Sequence, residues 1–136
     1  MKFIIFEEID STNEYIRKNH GIEEFEVVLA KKQLVMNEKQ RDVWISKEEA
    51  TLFSFLVKNK EELQEKMVVL CGYSICTILE KHLNILVQNN DKKYELTFKW
   101  PGYIYYGDEI ISEILCEKIR DKIMVGIKIN KKVEVI

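Results

Sequence analysis

Hydrophobic and polar residues alternate in short runs along most of this chain, and one longer stretch follows a helical period. The alternating runs predict strands at residues 2–8, 25–32, 51–57, 94–99, 109–117 and 123–129. Val27-Val28-Leu29-Ala30 reads as the buried centre of the second. Val68, Cys71, Ile75, Ile78 and Leu79 recur at helical spacing and predict a main helix from Met67 to Leu83. Within it Gly72 and Ser74 are small enough to let the helix approach the sheet closely. Ile85 to Gln88 predicts a further strand before the turn Asn89-Asn90-Asp91, and the charged run 60–66 reads as solvated. A shorter helix, Glu14 to Asn19, follows Asp10-Ser11-Thr12-Asn13. Asp10 or Ser11 can cap it, and Glu14, three residues after Ser11, completes a capping box.

The stretch 94–117 organises the rest. It holds Pro101, the single proline, which cannot donate to a ladder and so ends the strand of 94–99. Gly107-Asp108 permits a tight reversal into 109–117, and Arg120-Asp121 turns the chain into its last strand.

Composition narrows the picture. The 136 residues, 46% hydrophobic and 32% charged, are enough for one domain with its own core. The net charge of −2, with acids and bases interspersed, favours neither nucleic acid nor an anionic membrane as partner. No apolar run approaches the roughly 20 residues needed to cross a bilayer. Acids interrupt the N-terminal stretch too early for a signal peptide, so the expected location is cytoplasmic. Cys71, Cys76 and Cys116 have no metal-type spacing, so no metal site is expected. They read as buried small hydrophobes, with a reactive thiol as the alternative. His82 reads as a surface residue in the last turn of the main helix, and His20 as part of the first helix's C-terminal cap.

Three motifs arrive in a telling order. Asp10-Ser11-Thr12-Asn13 comes first, Lys99-Trp100-Pro101 and a strand ending Ile114-Leu115-Cys116-Glu117 follow, and Val125-Gly126-Ile127-Lys128-Ile129-Asn130 closes the series. Together they resemble the catalytic domain of biotin–protein ligases over nearly the whole chain, in a divergent and shortened form. The resemblance implies an α+β fold, a mixed, largely antiparallel β-sheet packed by helices on one face, as in biotin and lipoate ligases. It implies a single domain over 1–136, without an N-terminal DNA-binding domain or a C-terminal β-barrel. It also implies an activity: attack of the biotin carboxylate on ATP, with Mg, then transfer from biotinyl-AMP to a lysine of a carrier protein. A lipoate-type acyl ligase is the related alternative. Ser11, Thr12 and Asn13 then fall at the biotin ureido ring and Gln33 at biotin. Trp44 falls at the adenine, or is simply a core residue at a strand start. Asn130 becomes a nucleotide contact. Lys99 is the retained catalytic-type cation, or an exposed lysine at a strand end.

The departures from that family are as informative. Its glycine- and arginine-rich loop falls at 36–42, where no glycine stands and Lys39 and Arg41 are balanced by Glu38 and Asp42. The strand lysine of the family falls at Ile110, its Asn-Asp pair at Gly102 and Tyr103, and two of its glycines at Glu113 and Lys128. On a strand of period two, Ile110, Ser112, Ile114 and Cys116 share one face, and Ile111, Glu113, Leu115 and Glu117 the other. Glu113 then needs a partner, Lys99 or water. The expectation is a degenerate active site: a divergent ligase, or a non-catalytic ligand-binding or assembly module that forms a homodimer through its strands.

Overall fold

The computed structural model describes residues 1–33, 50–60, 63–86 and 95–130. Among them the elements run β1 (Phe3–Ile9), α1 (Thr12–Lys18), β2 (Val27–Gln33), β3 (Ala50–Lys58), α2 (Leu63–Leu86), β4 (Leu96–Lys99), β5 (Tyr103–Tyr106), β6 (Glu109–Ile119) and β7 (Lys122–Asn130). The strands form one sheet in the order β1-β2-β3-β7-β6-β5-β4. β1 pairs with β2 in parallel, and every other neighbouring pair is antiparallel. This is the mixed, largely antiparallel α+β class that the motifs imply.

β7 lies between β3 and β6, and its alternation feeds two cores. Ile123, Val125 and Ile127 join Val57, Ile104 and Ile114 under α2 through Ile75. Met124 joins Leu56, Val28 and Ile16 of α1. The two helices therefore sit on opposite faces rather than together on one. The buried residues of α1 are Thr12, Asn13 and Ile16, and they meet the positions of β3 and β7 that alternation turns away from α2.

Local chemistry sets the boundaries. Ser11, in extended conformation, is the N-cap of α1, and its Oγ accepts from the Glu14 amide at 3.2 Å. The Glu14 carboxylate pairs with Arg17, which also reaches Glu117 on β6 and ties the helix to the sheet. Asn19, not His20, caps the C-terminus, its Nδ2 donating to the Tyr15 carbonyl at 2.7 Å. β2 begins at Val27 rather than at residue 25, because Phe25 adopts a left-handed φ of 61° in a turn.

α2 is longer than expected and absorbs Ile85 and Leu86, which pattern alone assigned to a strand. A short apolar run that continues a helical period cannot be told from a strand by periodicity. Val68, Cys71, Gly72, Ile75 and Leu79 face inward, whereas Ile78 and Ser74 are exposed. A Cβ at Gly72 would stand 2.6 Å from the Phe98 ring, so the glycine does allow close packing on β4.

The central stretch is a three-stranded meander, with β5 between the two expected strands. Its register shifts so that Ile104 faces Ser112 while Tyr105 faces Ile110, leaving Ile111 as a bulged extra residue. The bulge turns Ile111 into the same core as Ile114, where strict alternation had separated them. Gly102 fixes the bend before β5. Its amide donates to the Lys99 carbonyl at 3.1 Å, and its carbonyl accepts from the Ile114 amide at 2.7 Å. A Cβ on Gly102 would lie 2.2 Å from the Ile114 carbonyl oxygen, which is backbone and cannot step aside. Gly102→Ala is therefore expected to cost about 2 kcal/mol or more, read as a lowered urea midpoint at unchanged slope.

Candidate functional site

The sheet face that carries α1 gathers the polar residues the sequence singled out. Two neighbouring rows of cross-strand partners build it. The first runs Val28, Ser54, Gly126, Leu115 across β2, β3, β7 and β6. The second runs Ala30, Leu52, Lys128, Glu113, Tyr103, Lys99 and continues to β4.

Over the first row sits the start of α1. The Ser54 hydroxyl donates to Asn13 Oδ1 at 2.5 Å, so the 2.7 Å contact between Thr12 Oγ1 and Ser54 Oγ is donated by Thr12. All three side chains are buried. Gly126 makes the arrangement possible, since a Cβ there would come within 2.4 Å of Asn13 Oδ1. Thr12 and Asn13 are thus brought together as expected, while Ser11 is occupied in capping. Ser54 was missed. Its signal was a lone hydroxyl between Leu52 and Leu56 on the inward phase of an apolar strand.

The second row holds the two positions where glycine was expected. Glu113 and Lys128 are register partners, their side chains only 10% and 6% exposed, with Nζ 3.8 Å from Oε2. That is an ion-pair distance but too long for a hydrogen bond, and Glu113 Oε2 has no hydrogen-bond partner. Burial pushes the Glu113 carboxyl up to about 7, and the Lys128 ammonium pulls it back only in part. The partner of Glu113 is therefore Lys128 and not Lys99. Lys99 is exposed, its ammonium 4.5 Å from the centroid of the Tyr105 ring. Ile110 stands opposite Tyr105, so the bulge brings the position of the expected lysine next to this ring.

Asn130 follows Lys128 on the same phase of β7. Its Nδ2 donates to the Ile110 carbonyl at 2.9 Å, and its Oδ1 is buried without a partner. Gln33 ends β2 in register with Ile9. Trp44 and the stretch 34–42 lie outside the described residues. Among the described residues, no three His, Cys, Asp or Glu side chains gather as a metal site. No helix there is long and apolar enough to cross a membrane.

This architecture is found in solved structures. The chain matches biotin protein ligase from Aquifex aeolicus in complex with biotin and ATP at 28% identity and a TM-score of 0.74, covering 99% of this chain and 54% of that one. It matches biotin protein ligase from Leishmania major in complex with biotin at 23% identity and a TM-score of 0.77, covering 97% and 57%. The biotin acetyl coenzyme A carboxylase synthetase from Helicobacter pylori matches at 19% identity and a TM-score of 0.76, covering 98% and 62%. The last two likenesses show the fold alone. The chain spans about half the length of the Aquifex enzyme. No protein-family model matches the sequence, and no curated protein matches it. The fold is that of the biotin protein ligase catalytic domain.

Two outcomes follow from the Glu113–Lys128 pair. Lys128→Met leaves a buried carboxylate without its counter-charge and is expected to cost about 3–5 kcal/mol in urea unfolding at pH 8. Glu113→Gln in the same chain should recover most of that loss. Folded Glu113 releases its proton at about 7, against 4.5 for an ordinary glutamate. Between those values the folded state holds a proton that the unfolded state has lost, so this group's stabilisation is full below 4.5 and declines as pH rises through about 7. A melting-temperature series in pH should show that decline in the native chain, and Glu113→Gln should flatten it.

Proposed function

We propose, taking the biotin protein ligase fold as the premise, that this chain keeps the scaffold as a binding and assembly module and does not transfer biotin with ATP. The observation that carries the reading is the pair Glu113–Lys128. The resemblance expects glycine at both positions, and so open space over the sheet. Two long side chains of opposite charge stand there instead, largely shielded from water. Without Lys128 the buried Glu113 carboxylate would lose its nearby counter-charge, so the two departures fit together.

The phosphate side of the chemistry points the same way. Bringing a carboxylate against the α-phosphate of ATP needs fixed positive charge aimed at the reacting centre. The stretch 36–42 is balanced in charge, and Ile110 stands where the family's lysine falls. Lys99 remains, but as a single exposed cation over Tyr105 it acts in water, where a unit charge is worth little. The alternative, an active ligase needing ATP, Mg, biotin or lipoate and a carrier protein, rests on the retained Thr12, Asn13 and Ser54 cluster and on Lys99.

For assembly, the favoured partner is a second copy of the chain. β1 is an edge strand, and its Phe3 and Ile5 are 56% and 60% exposed. A copy docked antiparallel about Ile5 sets Lys2 opposite Glu8 across the new ladder, joining unlike charges.

Calorimetric titration with biotin, with and without ATP, is expected to give no heat of binding, and labelled biotin with ATP and a carrier domain no labelled carrier. Micromolar or tighter binding, or a labelled carrier, restores the ligase reading. Restoring glycine at both positions, Glu113→Gly with Lys128→Gly, is expected to open the face and let biotin bind. Light scattering is expected to report a dimer that Ile5→Lys dissociates, and a clean monomer at high concentration ends the assembly part.

A further inference from the structure

α2 presents two stripes in opposite directions. Val68, Cys71, Gly72, Ile75 and Leu79 face the sheet. At about 100° per residue the opposite line runs through Lys66, Val69, Leu70, Tyr73, Thr77 and Glu80. The middle of that outer line is apolar. Val69, Leu70 and Tyr73 are 49%, 52% and 74% exposed, where a helix facing water ordinarily carries charge. The hydroxyls beside them are already engaged. Ser74 Oγ donates to the Leu70 carbonyl at 2.9 Å, and Thr77 Oγ1 to the Tyr73 carbonyl at 2.8 Å. A partner covering the stripe would leave neither donor unsatisfied. Charges frame it, Glu65 and Lys66 at one end and Glu80 and Lys81 at the other, all exposed.

We infer that this stripe is a self-association surface, on which a second copy of the chain lays its own α2 antiparallel, with the two-fold axis at Tyr73. This goes beyond the β1 contact and does not depend on it. α2 packs on β4, β5 and β6, at the other end of the sheet from β1.

Charge complementarity selects both the occupant and its direction. In an antiparallel pair about that axis, each residue stands level with the one equally far beyond Tyr73 in the second copy. Lys66 then meets Glu80 of the second copy, and Glu65 meets Lys81. The two-fold repeats both, so unlike charges close the apolar middle at each end. A parallel pair in register would instead set Lys66 against Lys66 and Glu80 against Glu80. Between the charged ends, Val69 and Leu70 lie against Thr77 and Cys76 of the second copy, and the two Tyr73 rings meet at the axis. Packed helices lie about 8–10 Å apart, close enough for these side chains to touch. The stretch 66–80 is only about 21 Å of helix. The contact is therefore smaller than a standard interface, and its charge pairs stay open to water, where each adds little. It forms at high concentration, whereas the β1 ladder adds backbone hydrogen bonds. A chain that uses both surfaces joins β1 dimers into longer assemblies.

The test is sedimentation velocity over a concentration series, on the full native chain and on Ile5→Lys, which removes the β1 contact alone. Ile5→Lys is expected to be monomeric when dilute and to dimerise with a Kd of roughly 0.1–1 mM. Leu70→Glu or Tyr73→Glu in that background, both at exposed positions, should abolish the association and leave the melting temperature unchanged. Lys66→Glu should weaken it about tenfold, and adding Glu80→Lys should restore it. Amide NMR shifts that grow with concentration should fall on the outer positions of α2 and spare Val68 and Ile75. A monomer at every concentration in Ile5→Lys, charge reversal without effect, or shifts that avoid α2 would each overturn the inference and leave the β1 contact standing. Association that survives Ile5→Lys unchanged and is lost in Leu70→Glu supports the α2 contact and removes the β1 contact instead.

Discussion

The α1 face is arranged around two charges that water barely reaches. Glu113 and Lys128 meet on adjacent central strands, and Glu113 cannot lose Lys128 without leaving a largely buried carboxylate short of its counter-charge. Their long side chains take up the space that glycines would leave over the sheet. On the neighbouring row Gly126 remains a glycine, and that small difference lets Asn13 settle against β7 and accept from Ser54. One residue pair thus separates a polar, hydrogen-bonded corner under α1 from a charged, filled surface beside it.

The scaffold around this face is conservative in the physical sense. β7 divides its side chains between two cores, α2 covers one and α1 the other, and Gly72 and Gly102 permit backbone and ring contacts that any larger residue would block. None of those contacts involves a reacting group. The sheet and the face above it are therefore constrained separately, because packing fixes the residues inside and the face depends on a handful of side chains above them. Of those, Thr12, Asn13 and Ser54 are joined by hydrogen bonds, Lys99 lies over a tyrosine, and Glu113 and Lys128 form an ion pair.

The places where pattern and structure part have specific causes. Ile85 and Leu86 joined the helix because an apolar run of that length fits both periods. Phe25 left the strand because its left-handed backbone ends the pairing. Ile111 changed faces because a bulge inserts one residue into β6, and a bulge leaves no mark on the alternation of a sequence rich in isoleucine. Only the bulge is a case of strand pairing overriding a local rule.

The sequence by itself determined most of the strands, though not β5, together with the capped helix at Ser11, the long helix and the order of motifs that leads to this fold. All of these rest on periodicity, turn chemistry and spacing, which are local. It also marked Glu113 and Lys128 as separate departures from glycine. Only the tertiary structure decided that the two are partners and that Ser54 completes the corner with Thr12 and Asn13. Those pairings are set by strand register and by which face each helix covers, and both are fixed by long-range contacts that no short window of sequence contains.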